Sequence, residues 1–176
     1  SRLIFHKSDI KTPLYHFAFS IPNNQMEEAI RWMNKKKVQL LPIYDTSTYI
    51  AEFEHWNARS VYFFDNNKNL CELIARFDLS NESNVKFGGY SILSINEVGI
   101  VSDDVLKEVE HVIQEYGVKT FRGFPIHKDF VALGDNRGVL LFISNQVRWY
   151  PAKKLSPGYP LRVRIENEGQ IFEYSV

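Results

Sequence analysis

The apolar pattern of the chain is repeated in its two halves, and this repeat excludes most ways of folding it. In each half, a short extended run precedes a segment with helical apolar spacing, and further extended runs follow. The first half has the run 14–21 before the helical segment 25–37, and the second has the run 92–101 before the apolar stripe 105–113. This order predicts an α+β fold made of two similar modules, each with one helix.

Local signals set the ends of both helices. Glu27 and Glu28 fall in the first turn of the first helix and the lysines 35–37 at its end, as the helix dipole favours. The Ser-Asp-Asp sequence at 102–104 provides a cap for the second helix, and Gly117 lies where a glycine commonly ends one. Charge placement in the first helix and caps in the second therefore support the prediction from periodicity.

The remaining extended runs complete the two modules. They lie at 38–43, 48–53, 60–64 and 70–76 in the first half, and at 119–124, 130–133 and 139–144 in the second. The predicted parts of a single domain are module 1 at 12–77, a linker at 78–90, module 2 at 91–145 and an extension at 146–176. The extension contains two alternating apolar runs, which predict a C-terminal β-hairpin.

Composition narrows the class of protein. The 176 residues can bury a core without help from a metal, so a bound metal would serve function rather than folding. Twenty-one basic residues balance 21 acidic ones, which argues against nucleic acid or an anionic membrane surface as the main partner. No apolar run is long enough to span a membrane, residues 1–9 lack the apolar centre of a secretory signal, and the single Cys71 excludes a disulfide within the chain. These features predict a cytoplasmic protein.

When the two halves are aligned, four strand positions correspond, and polar residues stand at three of them. The four aligned positions are His16, Glu72, Glu97 and Leu141. Side chains alternate along a strand, so His16 shares a face with a small residue, Ala18, which leaves room for a ligand. A carboxylate buried among apolar neighbours, as Glu72 would be, costs several kcal/mol unless it is paired, hydrogen-bonded or bound to a metal.

One imidazole and two carboxylates form a set of metal ligands. His16, Glu72 and Glu97 would suit divalent Mn, Fe, Co, Ni or Zn, and three protein ligands leave coordination positions open for water or substrate. One alternative is a metal-free pocket in which His16 pairs with Glu72 or Glu97, and another is that each residue is exposed. In an empty site, two adjacent carboxylates would need a shared proton or a protonated His16.

Three segments resemble the glyoxalase/bleomycin resistance/extradiol dioxygenase superfamily, also called the vicinal oxygen chelate (VOC) superfamily. They are 16–19 (HFAF), the helix 26–33 (MEEAIRWM) and the run 56–76, in which a strand, an Asp-x-x-x-Asn turn and a second strand lead to a Glu. The resemblance covers residues 12–145. It implies two βαβββ modules that form a half-open barrel around a metal, with ligands from the first and last strands of each module. The metal positions of the superfamily fall on His16, Glu72, Glu97 and Leu141.

The sequence departs from the enzymes of this superfamily at two positions. Leu141 stands where glyoxalase lyases have a carboxylate that also moves the substrate proton, which argues against a standard lactoylglutathione lyase. Glu97 stands where extradiol dioxygenases have a second His. Fosfomycin-modifying members share the His16 position, but their cationic phosphonate site has no clear counterpart. Bleomycin-binding members have no metal and hold their ligand in an aromatic groove, an alternative that suits the 13 Phe, nine Tyr and three Trp of this chain.

The resemblance implies a glyoxalase-like protein that binds a small oxygenated organic molecule through a divalent metal. Its reaction type is left open between lyase or isomerase chemistry and dioxygenase chemistry, with the metal as a Lewis acid. One alternative is a metal-free, bleomycin-resistance-like binding protein. Another is a catalytically silent fold whose C-terminal hairpin forms an interface, as in a homodimer, because an unpaired strand edge invites pairing.

Four residues outside the ligand set are further candidates. Trp56, Asn57 and Arg59 would line the substrate pocket, Trp56 by stacking and Arg59 by binding an anion. His127 follows a proline in a predicted loop and would act as a general base, because an imidazole exchanges protons near neutral pH. The alternatives are a core Trp beside a solvent-facing Arg, and a surface His.

Overall fold

The computed structural model of the protein describes residues 1–7, 9, 13–44, 47–155 and 157–176. Two compact units divide the chain, the first at 1–97 and the second at 98–176. The predicted start of module 1, at residue 12, lies outside the described residues. The division into two modules, a linker and an extension stays a prediction.

The first unit contains one helix and a sheet. Its elements are β1 (His16–Ser20), α1 (Met26–Lys35), β2 (Ala51–Phe53), β3 (Ala58–Phe64), β4 (Leu70–Arg76) and the first part of β5 (Ser94–Ser102). The strand order is β2-β3-β4-β1-β5, with β1 parallel to β4 and with β3 antiparallel to both β2 and β4. The predicted order of strand, helix and strands is confirmed, although the run 38–43 forms a single bridge, from Leu40 to Phe63.

Helix α1 covers one face of this sheet. Its buried side chains pack in a cluster with Val61 of β3 and Leu73 of β4. Each fully buried apolar side chain of this kind contributes about 1.5–3 kcal/mol. Because side chains alternate along a strand, Leu73 faces the helix, whereas Glu72 and Arg76 of the same strand face the opposite side.

Residues 78–90, predicted as a linker, pack against the start of α1. Asn23 donates a hydrogen bond from Nδ2 to the carbonyl oxygen of Leu79 at 2.6 Å, and Gln25 donates from Nε2 to the carbonyl oxygen of Val85 at 2.6 Å. Phe87 is buried in the core of the first unit. The segment is therefore bound to the first unit, which its Ser, Asn and Gly content did not predict.

The second unit begins within β5. Its further elements are α2 (Val105–Tyr116), β6 (Phe130–Asp135), β7 (Gly138–Ser144), β8 (Arg148–Trp149), β9 (Lys154–Leu155), β10 (Arg162–Asn167) and β11 (Gln170–Ser175). Strand β7 lies between β5 and β6. As predicted, Asp104 caps α2 by accepting a hydrogen bond from the backbone nitrogen of Lys107 at 3.1 Å, and Gly117 ends the helix at φ 64°. No helix in the described part of the chain could cross a membrane, given its length and polarity.

The run 119–124 was expected to be a strand, and the structure corrects this. One bridge, from Thr120 to Leu133, is followed by a 3₁₀ turn at Phe121–Gly123. The physical reason lies in the backbone: Arg122 has φ 52° and Gly123 has φ 69°, which are left-handed conformations that a strand does not accept.

The predicted C-terminal hairpin is confirmed as β10 paired antiparallel with β11. It is part of the core of the second unit, because Tyr174 of β11 is 3% exposed and its ring lies 5.9 Å from that of Phe142. Val163 and Ile165 of β10 pack against the same cluster. The α+β fold class with a C-terminal hairpin is therefore confirmed, and the hairpin contributes to folding.

Candidate functional site

The structure brings the three predicted ligand residues together within the first unit. His16 begins β1, Glu72 lies in the neighbouring β4 and Glu97 lies in β5. Nε2 of His16 is 3.5 Å from Oε2 of Glu72 and 3.8 Å from Oε2 of Glu97. His16 is 3% exposed and each Glu 2%, and one ligand atom from each residue lies within 4.8 Å of the other two. Within the described ranges, no other group of three or more His, Cys, Asp or Glu residues has ligand atoms this close together.

The backbone of β4 orients the His16 ring. In the parallel pairing of β1 with β4, His16 lies opposite Leu70, and its Nδ1 is 3.2 Å from the carbonyl oxygen of Leu70. A carbonyl oxygen only accepts, so Nδ1 is the nitrogen that carries the proton. Nε2 then directs its lone pair towards the two carboxylates, as in a metal-binding histidine whose other nitrogen is held by a hydrogen bond.

The turn before β4 holds the chain next to His16. Asp65 accepts hydrogen bonds through Oδ1 from the backbone nitrogens of Asn67 at 2.9 Å and Asn69 at 2.8 Å. Asn69 in turn accepts through Oδ1 from the backbone nitrogen of Tyr15 at 3.1 Å. The Asp-x-x-x-Asn motif therefore closes the turn and fixes the residue that precedes His16.

The surroundings of Glu72 favour its protonated form. Burial, followed by the nearby charge of Glu97, raises the pKa of Glu72 to about 7. His16, the hydroxyl of Ser60 and Arg76 act in the opposite direction on this pKa, but they do not cancel the effect of burial. Near neutral pH the Glu72 carboxyl is therefore balanced between its two protonation states, and an added cation would favour the ionised one.

A fourth charged residue, not predicted from the sequence, completes the cluster. Arg76 is wholly buried; its Nη2 donates a short hydrogen bond to Oε1 of Glu97, and its Nε donates to Oδ1 of Asn96 at 2.7 Å. The expectation for an empty site named only a shared proton or a protonated His16, and Arg76 adds a counter-charge for Glu97. Strand spacing could have found it: Arg76 follows Glu72 by four residues in β4, so both side chains point to the same face.

Two of the predicted pocket residues lie at the 3₁₀ turn that precedes β3. The ring of Trp56 is half-buried, and its centre lies 5.8 Å from the guanidinium carbon of Arg76, so Trp56 borders the cluster through a cation–π contact. Asn57 has a left-handed backbone with φ 46° and donates from Nδ2 to Oδ1 of Asp78 at 2.6 Å. Asn57 thus fixes the chain beyond β4.

Arg59, predicted to bind an anion, pairs with carboxylates of the chain itself. Its Nη1 is 2.9 Å from Oε1 of Glu27 on α1, and its Nε is 2.9 Å from Oε1 of Glu52 on β2. In the pairing of β3 with β4, Arg59 lies opposite Ala75, which packs in the helix-covered cluster. Arg59 is therefore on the face of the sheet opposite to Glu72.

Two residues of the prediction lie in the second unit. His127 is 62% exposed, and its Nδ1 accepts a hydrogen bond from the backbone nitrogen of Asp129 at 3.2 Å. Leu141 is buried in β7, opposite Ala132 of β6. A general-base role for His127 stays a prediction.

The fold has relatives among solved structures. A provisionally assigned dioxygenase from Bacillus subtilis subsp. subtilis str. 168 aligns with 76% of the chain at a TM-score of 0.53 and 16% identity. The chain has the vicinal oxygen chelate fold. At this identity the alignment establishes the fold alone, and the resemblance predicted from the sequence is confirmed at that level.

Two further solved structures align with the chain at lower scores. A glyoxalase I mutant from Zea mays aligns with 74% of the chain at a TM-score of 0.46 and 14% identity. Methylmalonyl-CoA epimerase from Mycobacterium tuberculosis aligns with 80% of the chain at a TM-score of 0.43 and 11% identity. The chain spans 41% of the length of the Bacillus protein, 45% of the glyoxalase and 92% of the epimerase. Neither a protein-family model nor a curated protein matches the sequence.

The chemistry of the cluster fits a divalent metal. Imidazole nitrogen and carboxylate oxygen are ligands that Mn, Fe, Co, Ni and Zn share. Two metal–ligand bonds of about 2.0–2.2 Å span up to about 4.4 Å, so one ion could join Nε2 of His16 to the facing oxygen of Glu72 or of Glu97, which lie 3.5 Å and 3.8 Å away. The hydrogen bond from His16 to Leu70 supplies the outer-shell partner that such a ligand needs.

Proposed function

We propose that this VOC protein binds a small oxygenated organic molecule through a divalent metal held by His16, Glu72 and Glu97. The observation that carries the proposal is the convergence of one imidazole nitrogen and two carboxylate oxygens, all buried, with one ligand atom from each within 4.8 Å of the others. Buried carboxylates of this kind are costly unless a cation or a hydrogen-bond donor compensates them.

Each residue of the proposed site would have its own role. His16 would bind the ion through Nε2 while Leu70 holds its ring, and the two carboxylates would bind through the oxygens that face His16. A bound divalent ion would supply Lewis-acid chemistry, lowering the pKa of an oxygen group that joins it. Lyase or isomerase chemistry and dioxygenase chemistry both stay within the proposal, whereas a standard lactoylglutathione lyase is not proposed because Leu141 provides no fourth carboxylate.

A metal-free binding protein is the second candidate, and one observation favours it. Arg76 already compensates Glu97, so the cluster does not depend on an ion to offset both carboxylates. In this alternative, His16 and Glu72 would share a proton, and the aromatic rings of Tyr62 and Trp56 would stand beside the ligand. Under either alternative, we propose a cytoplasmic protein that binds a small molecule and forms a homodimer. We propose no nucleic-acid partner and no membrane partner.

Metal content and metal-induced stabilisation test the proposal. We expect protein purified without chelator to carry close to one divalent ion per chain, and added Mn, Co, Ni or Zn to raise the melting temperature of the chelator-treated protein. His16→Ala should abolish this rise. His6→Ala is the matched control, because His6 is exposed and lies outside the cluster. A wild-type protein with neither bound metal nor a metal-dependent melting temperature would overturn the proposed metal site.

A further inference from the structure

Arg76 gives the cluster a charge that its three predicted metal ligands do not provide. The side chain is wholly buried on the same face of β4 as Glu72. A buried guanidinium is costly unless its donors are paired, and here they bond both Glu97 and Asn96. The residue is therefore built into the site and is not a surface charge that happens to lie nearby.

Arg76 also decides which oxygen of Glu97 faces the cluster. It binds Oε1, whereas Oε2 lies 3.8 Å from Nε2 of His16. A guanidinium is planar and its donors have a fixed fork geometry, so it restrains the carboxylate more than a lysine would. Oε2 is thereby the Glu97 oxygen that is turned towards His16.

The charge of the metal-loaded site follows from these groups. With His16 neutral, two carboxylates, one guanidinium and one divalent ion leave a single positive charge. The same ligands without Arg76 would leave none. An anionic ligand at the open coordination positions would meet an uncompensated positive charge in a buried site, where electrostatic interactions are weakly screened.

We propose that Arg76 is a positioning residue that makes the metal-loaded site selective for mono-anionic oxygen ligands, such as 2-hydroxy carboxylates, over neutral hydroxycarbonyl compounds. This inference rests on the proposed metal site. Arg76 acts through Glu97, whose orientation it fixes, and through its own charge.

A set of charge variants loaded with Co²⁺ tests this inference. Lactate serves as the mono-anionic probe and hydroxyacetone as the neutral one, and the visible absorption of Co²⁺ reports the binding of each. Arg76→Met lowers the charge of the loaded site by one, Glu97→Gln raises it by one, and the double variant restores the wild-type charge. Arg31→Met is the control, because Arg31 is 68% exposed and pairs with Glu28 on α1.

The ratio of lactate affinity to hydroxyacetone affinity should follow the charge of the site. We expect this ratio to be about tenfold or more in wild type, to fall by about tenfold in Arg76→Met, to rise in Glu97→Gln, and to return to within about threefold of wild type in the double variant. Arg31→Met should leave it unchanged. Arg76→Lys should keep the ratio while the Co²⁺ spectrum shifts, since the charge remains but the fork is lost.

Two results would overturn the inference while leaving the metal site intact: Co²⁺ uptake with an unchanged ratio in Arg76→Met, or a double variant that fails to recover the wild-type ratio. If Arg76→Met does not fold, the comparison of wild type, Glu97→Gln and the double variant decides the question in the same way. A wild-type protein that takes up no Co²⁺ overturns both this inference and the proposed metal site.

Discussion

Arg76 and Glu97 form an ion pair in which the two side chains are 0% and 2% exposed. Removing one partner leaves the other charge buried without compensation. We therefore expect Arg76→Met to lower the free energy of unfolding of the metal-free protein by about 3–5 kcal/mol. Guanidinium chloride unfolding in the presence of a chelator measures this loss, and the double variant with Glu97→Gln should recover more than half of it.

The control for this ion pair is a pair on the surface. Arg31 is 68% exposed and pairs with Glu28. Arg31→Met breaks this contact and should lower the free energy of unfolding by less than about 1 kcal/mol. Arg76→Met and the double variant with Glu97→Gln could instead lose the same free energy of unfolding. That result would show that packing, not charge compensation, determines the stability at this position.

The pH dependence of stability should report the protonation of Glu72. Burial raises the pKa of this carboxyl to about 7 in the folded chain, from 4.5 when it is unperturbed. The folded state therefore holds the proton more tightly, so the stabilisation is full below pH 4.5 and is lost as the pH rises to about 7. We expect wild type without metal to lose at most about 3 kcal/mol more than Glu72→Gln over this range, measured by chemical unfolding at a series of pH values.

Metal should reverse the sign of this trend. Ligands must be deprotonated to bind an ion, so stability in excess Co²⁺ should rise with pH across the range in which the metal-free protein loses it. Glu28→Gln, a change at an exposed acid, should leave both slopes as they are in wild type. Parallel pH profiles for wild type and Glu72→Gln without metal would contradict the assignment to Glu72.

Tyr174 ties the C-terminal hairpin to the core of the second unit. Its ring is buried, and its hydroxyl donates to Oε2 of Glu108 at 2.6 Å. Tyr174→Ala should cost about 3–5 kcal/mol because it opens a cavity, and Tyr174→Phe about 1 kcal/mol because it removes one hydrogen bond. Ile171→Ala in the same strand is the control: this side chain is 68% exposed, and its loss should cost less than about 0.5 kcal/mol in thermal unfolding.

The hairpin formed by β6 and β7 requires glycine at one strand position and not at another. Gly134 has φ 127°, and a β carbon there would lie 2.1 Å from the carbonyl oxygen of Gly138. A β carbon at Gly138 would meet nothing within 4 Å. We expect Gly134→Ala to destabilise the second unit by roughly 2 kcal/mol or more and Gly138→Ala by much less. Equal melting temperatures for the two variants would contradict the close approach at Gly134.

The closeness of the three candidate ligands could be predicted because each is a polar residue among mainly apolar strand residues, at a position aligned between the two halves. His16, Glu72 and Glu97 carried that signal, and the structure brings them together. The sequence signal for Arg76 was weaker, because a charged residue at the end of a strand commonly marks the point where the strand leaves the core. Only the pairing of β4 with its neighbours, which joins residues far apart in sequence, shows that this end is buried.

The fold was predictable where local sequence signals determine the secondary structure. It was less predictable where backbone conformation or long-range packing determines it. Periodicity located both helices, and caps located the ends of α2, as Asp104 and Gly117 illustrate. The run 119–124 has the composition of a strand, but two successive left-handed residues end it. Polar composition marked 78–90 as a linker, yet Asn23 and Gln25 bind its backbone, and such long-range side-chain contacts leave no local pattern.

The placement of Glu72 and Arg76 on one face of β4 makes the length of that strand as important as its composition. An insertion or deletion of a single residue between them would turn one of the two charged side chains to the helix-covered face, whatever residue was added. Loops tolerate changes in length because their side chains do not alternate between two faces of a sheet. Among descendants of this chain, length variation should therefore accumulate at its turns, while the interval from Glu72 to Arg76 keeps the same number of residues.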